Sequence, residues 1–246
     1  MPFKTTSFFS YEIFSDSIDR IMLKDKLVIN TINPHSFMVA ENDQVYRKAL
    51  MESDILLPDG IGITKAIWLL KNERVLKIAG MDIHNYLVKT AQKKSLKCFY
   101  LGSSPETLDQ IKIRLQQEYP GIKINTFSPP FKKEFSKADN EIILKNINDY
   151  QPDILFLGMT APKQEKWVYN NLPQINAKII CSIGAVFDFI GGNKKRPHQF
   201  WINLGLEGFV RVYREPRRLG KRLLFSDMPF LFKILSLKIK EFGKFR

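Results

Sequence analysis

Asp59 closes the apolar run Ile55-Leu-Leu-Pro58 and is followed by Gly60, which places a carboxylate at the mouth of a strand-to-helix turn. There it can cap the turn, as Asp-Gly pairs commonly do, or take the proton from an attacking hydroxyl, a poor nucleophile at neutral pH. Two further turns suit phosphate. Gly102-Ser-Ser-Pro105 ends an apolar run and opens a helix with proline in its first turn, leaving backbone N–H groups to face an anion or simply water. Gly158 is followed by Pro162, Lys163 and Gln164. The lysine can neutralise a diphosphate and the amide can fix a sugar hydroxyl, or both can belong to a solvated helix start.

Charge that builds up on a leaving phosphate has to be met by something. No two aspartates are separated by a single residue, so the D-x-D element with which many sugar transferases hold Mn²⁺ or Mg²⁺ is absent, and His35, His84 and His198 lie far apart in the chain. This predicts chemistry without a metal or an organic cofactor, in which helix N-termini, turn amides and cationic side chains stabilise the leaving group. Arg211, Arg214, Arg218 and Arg222 recur at i, i+3, i+7 and i+11 and would share a helical face, with Pro216 expected to break or restart the helix.

These turns require strands and helices in alternation. Apolar runs at Lys26–Asn33, Ile55–Pro58, Cys98–Gly102, Lys123–Phe127, Ile154–Gly158 and Ile179–Ile183 read as strands. Between them, His35–Glu52, Gly62–Asn72, Met81–Lys94, Pro105–Glu118, Lys137–Tyr150 and Pro162–Asn170 read as helices after an irregular opening. The pattern is that of an α/β fold, a Rossmann-like mostly parallel sheet with helices on both faces, in which ligands bind beyond the carboxyl ends of the strands. Gly191-Gly-Asn-Lys-Lys-Arg-Pro197 marks the expected boundary between a domain at 1–193 and a basic helical appendage at 194–246.

The charge distribution supports that division. Of the net +13, the appendage holds 14 Lys/Arg against four acids, whereas the 193 residues before it hold 24 against 21. So localised an excess points to an anionic partner: phospholipid headgroups, a polyprenyl diphosphate or nucleic acid. Phe230, Leu231, Ile234, Leu235 and Phe242 fall on one side of a terminal helix and Lys233, Ser236 and Lys240 on the other. That arrangement suits a helix lying among headgroups, with packing on the protein's own body as the alternative. No stretch approaches the roughly 18 consecutive apolar residues of a span. Met1–Ser10 lacks the basic-then-apolar pattern of a signal peptide. Cys98 and Cys181 sit in apolar strands and are expected to be buried thiols. The expected location is therefore the cytoplasm, peripheral on the inner face of the cell membrane.

In their order and spacing, several motifs together resemble the WecG/TagA/CpsF family of bacterial glycosyltransferases over about Lys26 to Arg222. They are Thr31-x-Asn33, Pro58-Asp59-Gly60-x-Gly62, Gly80-x-Asp82, Leu101-Gly102, Pro152-Asp153 and Leu157-Gly158-x-x-x-Pro162-x-Gln164-Glu165. Gly184-x-x-Phe187-Asp188, Gly191, Arg196-Pro197, Leu204-Gly-Leu-Glu207 and Arg211-Val-Tyr-Arg-Glu-Pro-Arg-Arg218 complete the series. The resemblance implies inverting transfer of a sugar from a UDP donor to N-acetylglucosamine on a polyprenyl diphosphate, in cell-surface polysaccharide or teichoic acid synthesis. The sugar is N-acetylmannosamine in the best-known members and glucose in others. Carried over by position, Asp59 is the base, with Thr31 and Asn33 beside it. Gln164 contacts the donor sugar and Asp188 the uracil edge, while Lys77, Asp82, Gly102, Gly158, Lys163 and Glu165 complete the donor set. Arg211, Arg214, Arg217 and Arg218 approach the diphosphates. Where the family usually carries arginine before Gly80-x-Asp82, this chain has Lys77, which keeps the charge and loses the planar fork.

The resemblance implies a UDP-sugar donor, a polyprenyl-diphosphate-linked acceptor and an anionic membrane surface as partners, and leaves room for a homo-oligomer. The runner-up, a nucleic-acid-binding α/β protein using its basic tail, explains the charge but not the polar turns, and no nucleic-acid-binding signature is present. A nicotinamide dehydrogenase is disfavoured because no G-x-G-x-x-G follows the first strand.

Overall fold

The computed structural model describes residues 3–21, 26–195, 197–198, 200–201 and 207–243, with the side chains of Phe209, Arg211, Arg214, Arg218 and Phe242 outside that description. Its strands are β1 (Thr5–Phe8), β2 (Tyr11–Phe14), β3 (Leu27–Ile32), β4 (Ile55–Pro58), β5 (Lys97–Gly102), β6 (Lys123–Phe127), β7 (Ile154–Gly158) and β8 (Ile179–Ser182). They form one sheet in the order β1-β2-β4-β3-β8-β7-β5-β6. β1 and β2 pair antiparallel, and every other pairing is parallel. The opening expected to be irregular is thus a hairpin on the sheet edge, joined to β4 through Ile13 opposite Leu56.

The helices are α1 (Pro34–Asn42), α2 (Gln44–Met51), α3 (Ile61–Lys71), α4 (Gly80–Lys94), α5 (Pro105–Glu118), α6 (Lys137–Tyr150), α7 (Lys163–Asn171) and α8 (Val186–Ile190). After them come α9 (Glu207–Arg214), α10 (Pro216–Arg222), a π-helical turn (Leu223–Asp227) and α11 (Met228–Gly243). The single helix expected over His35–Glu52 is divided at Asp43, which adopts an extended conformation and accepts the Tyr46 N–H at 2.9 Å to start α2. Pro216 is the first residue of α10 and restarts the helix after α9, as its missing N–H requires.

Strand residues alternate between the two faces, and each face is covered. Leu27, Ile29, Cys98, Tyr100, Ile154, Phe156, Ile179 and Cys181 point to one side, against α4, α5 and α8. Val28, Phe99, Leu101, Leu155, Leu157 and Ile180 point to the other, against α6 and α7. Burial on both faces explains why these strands read as continuous apolar runs. On the hairpin side, Ile13, Ile32 and Leu56 pack with α1, α2, α3 and, from the far end of the chain, Phe230 and Ile234 of α11. Both cysteines are buried and unpaired, and burial raises the Cys98 thiol to about 12. Among the described residues, no helix is long and apolar enough to cross a membrane.

Candidate active site

The chain runs from β3 to β4 on one side of the sheet and then crosses to β5 on the other, so the strand order reverses beside β3 and β8, where open α/β sheets form their ligand crevice. Two cavities meet there. One, of about 560 Å³, is lined by Thr31, Asn33, Asp59, Gly158, Gln164, Glu165, Gly184 and Asp188 from strand ends and helix starts, and by Leu219, Arg222, Phe225 and Ser226 from the C-terminal helices. The other, of about 440 Å³, is more apolar and runs between α3, α9 and α11 past Ile61, Ala66, Leu69, Val212, Phe230 and Ile234. Asn33, Asp59 and Arg222 line both.

The shared wall is fixed by short-range bonds. The Asp59 N–H donates to the Ile32 carbonyl at 2.8 Å, so the turn after β4 is tied to the end of β3. Asn33 caps α1: its Oδ1 accepts the Ser36 N–H at 3.0 Å, while its own N–H donates to Ser36 Oγ at 2.7 Å. The same Oδ1 accepts from Arg222 Nη2 at 3.0 Å, which brings a guanidinium from α10 beside the β3 and β4 ends. Arg222 Nε lies 3.7 Å from Asp227. Burial raises the Asp227 carboxyl, and the Arg222 charge opposes the shift.

His35 and Ser226 join the two ends of the chain, with Nδ1 and Oγ 2.8 Å apart. Burial, assisted by the Arg222 charge, pushes this imidazole down to about 4, so it is neutral at neutral pH. On the opposite wall Gln164 Nε2 donates to Glu165 Oε1 at 2.8 Å. Burial pushes the Glu165 carboxyl up to about 7, although the hydrogen bonds from Gln164 and its own backbone oppose this. Tyr46 of α2 also lines this cavity and is almost completely buried. Asp188 faces it from α8 with Lys194 3.2 Å away, and Lys194 also pairs with Glu215 at 3.1 Å.

The structure therefore gathers Thr31, Asn33, Asp59, Gly158, Gln164, Glu165 and Asp188 around one cavity. Lys77 lines the apolar cavity instead, paired with Glu207 at 3.3 Å. The remaining described candidates line neither cavity. Asp82 accepts the Ala79 N–H at 2.8 Å in the first turn of α4. Gly102, at φ +118°, lies so close to Gly158 that a Cβ would stand 2.8 Å from its carbonyl, a steric reason for glycine. Lys163 donates to the Lys132 carbonyl and stands 3.6 Å over the Phe135 ring. Arg217 is exposed on α10. The side chains of Arg211, Arg214 and Arg218 lie outside the described residues. Tyr46 and Ser226 carry no sequence signal for this site, because the first sits in ordinary helical periodicity and the second arrives from almost 200 residues beyond the turn after β3. Chemically, the arrangement offers one carboxylate between a polar and an apolar chamber, a guanidinium beside it and a buried acid–amide pair opposite.

A sequence profile of the glycosyl transferase WecG/TagA/CpsF family matches residues 4–243. The chain is 32% identical over 213 residues to the N-acetylglucosaminyldiphosphoundecaprenol N-acetyl-beta-D-mannosaminyltransferase of Bacillus subtilis (strain 168), an alignment covering 86% of this chain and 81% of that protein. Proteins of the same name from Staphylococcus aureus are similar to it at 28% identity (strain MW2) and 29% identity (strain MRSA252), each over 88% of this chain and 82% of the relative.

Proposed function

The chain belongs to the glycosyl transferase WecG/TagA/CpsF family, and from that premise we propose that it moves N-acetylmannosamine or a related hexose, with inversion, from a UDP donor to a polyprenyl-diphosphate-linked sugar. The observation that carries this reading is the shared wall: Asp59 lies between two chambers, one polar and one apolar. The polar chamber takes the nucleotide sugar, with Thr31, Gln164 and Glu165 around the sugar and Asp188 toward the base. The apolar chamber, with Lys65 and Lys77 in its lining, takes the sugar end of the lipid-linked acceptor. In this arrangement Asp59 removes the proton from the acceptor hydroxyl as it attacks the anomeric carbon from the face opposite the departing UDP. Arg222, held by Asn33, is placed to meet charge developing on the diphosphate, with Arg211, Arg214, Arg217 and Arg218 following on the same two helices.

Metal independence is part of the proposal. It is supported by the missing D-x-D element, and among the described residues no three His, Cys, Asp or Glu side chains gather where they could hold an ion. So are the treatment of 194–246 as an appendage and its contact with the inner face of an anionic membrane, both supported by the concentration of basic charge there. The test is transfer from a panel of UDP-sugars to a short-chain lipid-linked N-acetylglucosamine. Turnover with UDP-N-acetylmannosamine is expected to persist in excess EDTA, and Asp59→Asn is expected to lose about 10²–10⁴-fold in rate while still binding donor. Wild-type turnover in that variant removes Asp59 from its role, and restoration of a chelated enzyme by Mn²⁺ removes the metal-free mechanism.

A further inference from the structure

One wall of the polar chamber carries polar atoms that neither the general base nor phosphate recognition uses. Gln164 and Glu165 stand in the first turn of α7 and are only 3% and 2% exposed. Their mutual hydrogen bond leaves Gln164 Oε1 and Glu165 Oε2 buried without partners, although both residues line the chamber. Buried unpaired polar atoms are costly, and two adjacent ones in a cavity wall mark a place where a ligand supplies the missing bonds. Gly184, at φ +50°, lies beside the amide: a Cβ there would stand 3.6 Å from both Gln164 Oε1 and Nε2, and glycine leaves that approach clear.

We propose that Gln164 and Glu165 form a recognition site for one hydroxyl of the donor sugar, in which Glu165 works as a neutral carboxylic acid. The inference rests on the donor reading given above. A hydroxyl has one proton to give and lone pairs to receive. It donates to Gln164 Oε1 and accepts from the Glu165 Oε2–H, so donor and acceptor are satisfied at both residues at once. An ionised Glu165 would offer acceptors only and leave the hydroxyl oxygen unmatched.

The surroundings favour the neutral acid, since burial holds the carboxyl at about 7. Sharing its chamber are Tyr46 on α2, His35 on α1, Asp59 after β4, Asp188 on α8, and Lys221 and Arg222 on α10. Of these, His35 is neutral, Asp188 is matched by Lys194, and Arg222 is engaged with Asn33 and Asp227. On the outer side of α7, Lys166 is spent on Asp43 at 2.8 Å. Because the protonated form binds, affinity for the sugar nucleotide is level well below pH 7 and falls toward tenfold per pH unit above it.

The experiment is calorimetric titration of full-length wild type, Glu165→Gln and Glu165→Leu with UDP and with UDP-N-acetylmannosamine from pH 5.5 to 8.5, with ¹³C NMR of the glutamate carboxyls in the apo protein. Wild-type affinity for the sugar nucleotide is expected to fall about 30-fold between pH 6 and 8.5, with no matching fall for UDP. Glu165→Gln keeps a neutral N–H donor at every pH, so it is expected to bind the sugar nucleotide within a few-fold of wild type at pH 6 and to lose the alkaline decline. Glu165→Leu is expected to weaken sugar-nucleotide binding roughly 10–100-fold and leave UDP binding unchanged, which a merely structural residue would not do. A flat wild-type profile, loss of binding in Glu165→Gln at all pH values, or a Glu165 carboxyl already ionised at pH 6 overturns the hydroxyl site and leaves the donor reading standing. A wild type that binds UDP but no UDP-sugar at any pH overturns the donor reading, and the hydroxyl site with it.

Discussion

Glu165 on one side, and the half-buried His35 and buried His84 on the other, oppose one another in their pull on stability. The Glu165 carboxyl is raised from 4.5 to about 7, so the folded state holds a proton that the unfolded chain releases, and stability is lost as pH rises across that window. His35 and His84 are depressed from 6.5 to about 4, mainly by burial, and act in the other direction: their contribution is complete above pH 6.5 and is lost as pH falls toward 4. His84, bonded to the Tyr100 hydroxyl at 2.8 Å within the core, has no part in the site. Replacing Glu165 by glutamine removes one term and leaves the histidines. The stability of Glu165→Gln relative to wild type should therefore rise by about 3 kcal/mol between pH 4.5 and 7, the equivalent of the Glu165 displacement. Urea unfolding midpoints across that range measure it, and a constant difference between the two proteins would show that Glu165 ionises as an ordinary surface carboxylate.

α11 shows what periodicity leaves open in a helix that is apolar on more than one side. Its spacing suggests a single apolar stripe containing Phe230, Leu231, Ile234 and Leu235, and a face for headgroups. In the structure that stripe is divided. Phe230 and Ile234 are 3% and 2% exposed and close the core over Phe8 and Phe37, with the Phe37 and Phe230 ring centroids 5.3 Å apart. Phe232 and Ile239, outside the stripe, are 63% and 71% exposed. Phe230→Ala should cost about 3–5 kcal/mol and, by loosening α11, disturb the Arg222 and Ser226 wall of the site. Phe232→Ala should stay within about 0.5 kcal/mol of wild type. Equal unfolding midpoints for the two variants would mean that α11 does not dock on the body. The central strands β3, β4, β5, β7 and β8 were legible because both their faces are buried, and the turns after β3, β4, β7 and β8 because polar residues and glycine interrupt apolar runs there. The β1–β2 hairpin was not legible: its turn is Phe9-Ser10, with Phe9 at φ +55°, in place of the Asn-Gly or Asp-Gly pair that signals such turns. Nor was the contribution of the π-turn to the cavity, since a contact between His35 and Ser226 leaves no trace in local pattern, whereas Arg222 of α10, which does line the cavity, belongs to the cationic segment the sequence points to.

Across the whole molecule, the basic excess of the last 53 residues is only partly available to an outside partner. Lys194 is committed to Asp188 and Glu215, Arg222 to Asn33 and Asp227, and Lys233 to Glu41 on α1. Arg217, Lys221 and Lys240 are exposed, and the same stretch exposes Leu224, Phe225, Phe232 and Ile239. Cations and large apolar side chains side by side are what an anionic bilayer takes up, the charges at its surface and the rings and aliphatic groups below the headgroups. Deleting the chain after Arg222 would not isolate this contact, because it also strips Phe230 and Ile234 from the core and Ser226 from His35. Neutralising the exposed cations does isolate it. Each Lys or Arg at such a surface contributes about 1 kcal/mol, so the triple variant Arg217→Gln, Lys221→Gln, Lys240→Gln should bind anionic vesicles about 10²-fold more weakly than wild type at low salt. As the screening length shortens from about 10 Å at 0.1 M salt to about 3 Å at 1 M, the two proteins should converge on the residual affinity of the apolar groups. Because Lys221 lines the polar chamber and Arg217 belongs to the arginines proposed for the diphosphates, the control for folding is the urea unfolding midpoint and not donor binding, and Phe232→Ser combined with Ile239→Ser should lower that residual at every salt concentration. Co-sedimentation of wild type and triple variant that is indistinguishable at low salt would place the membrane contact elsewhere on the protein or remove it altogether.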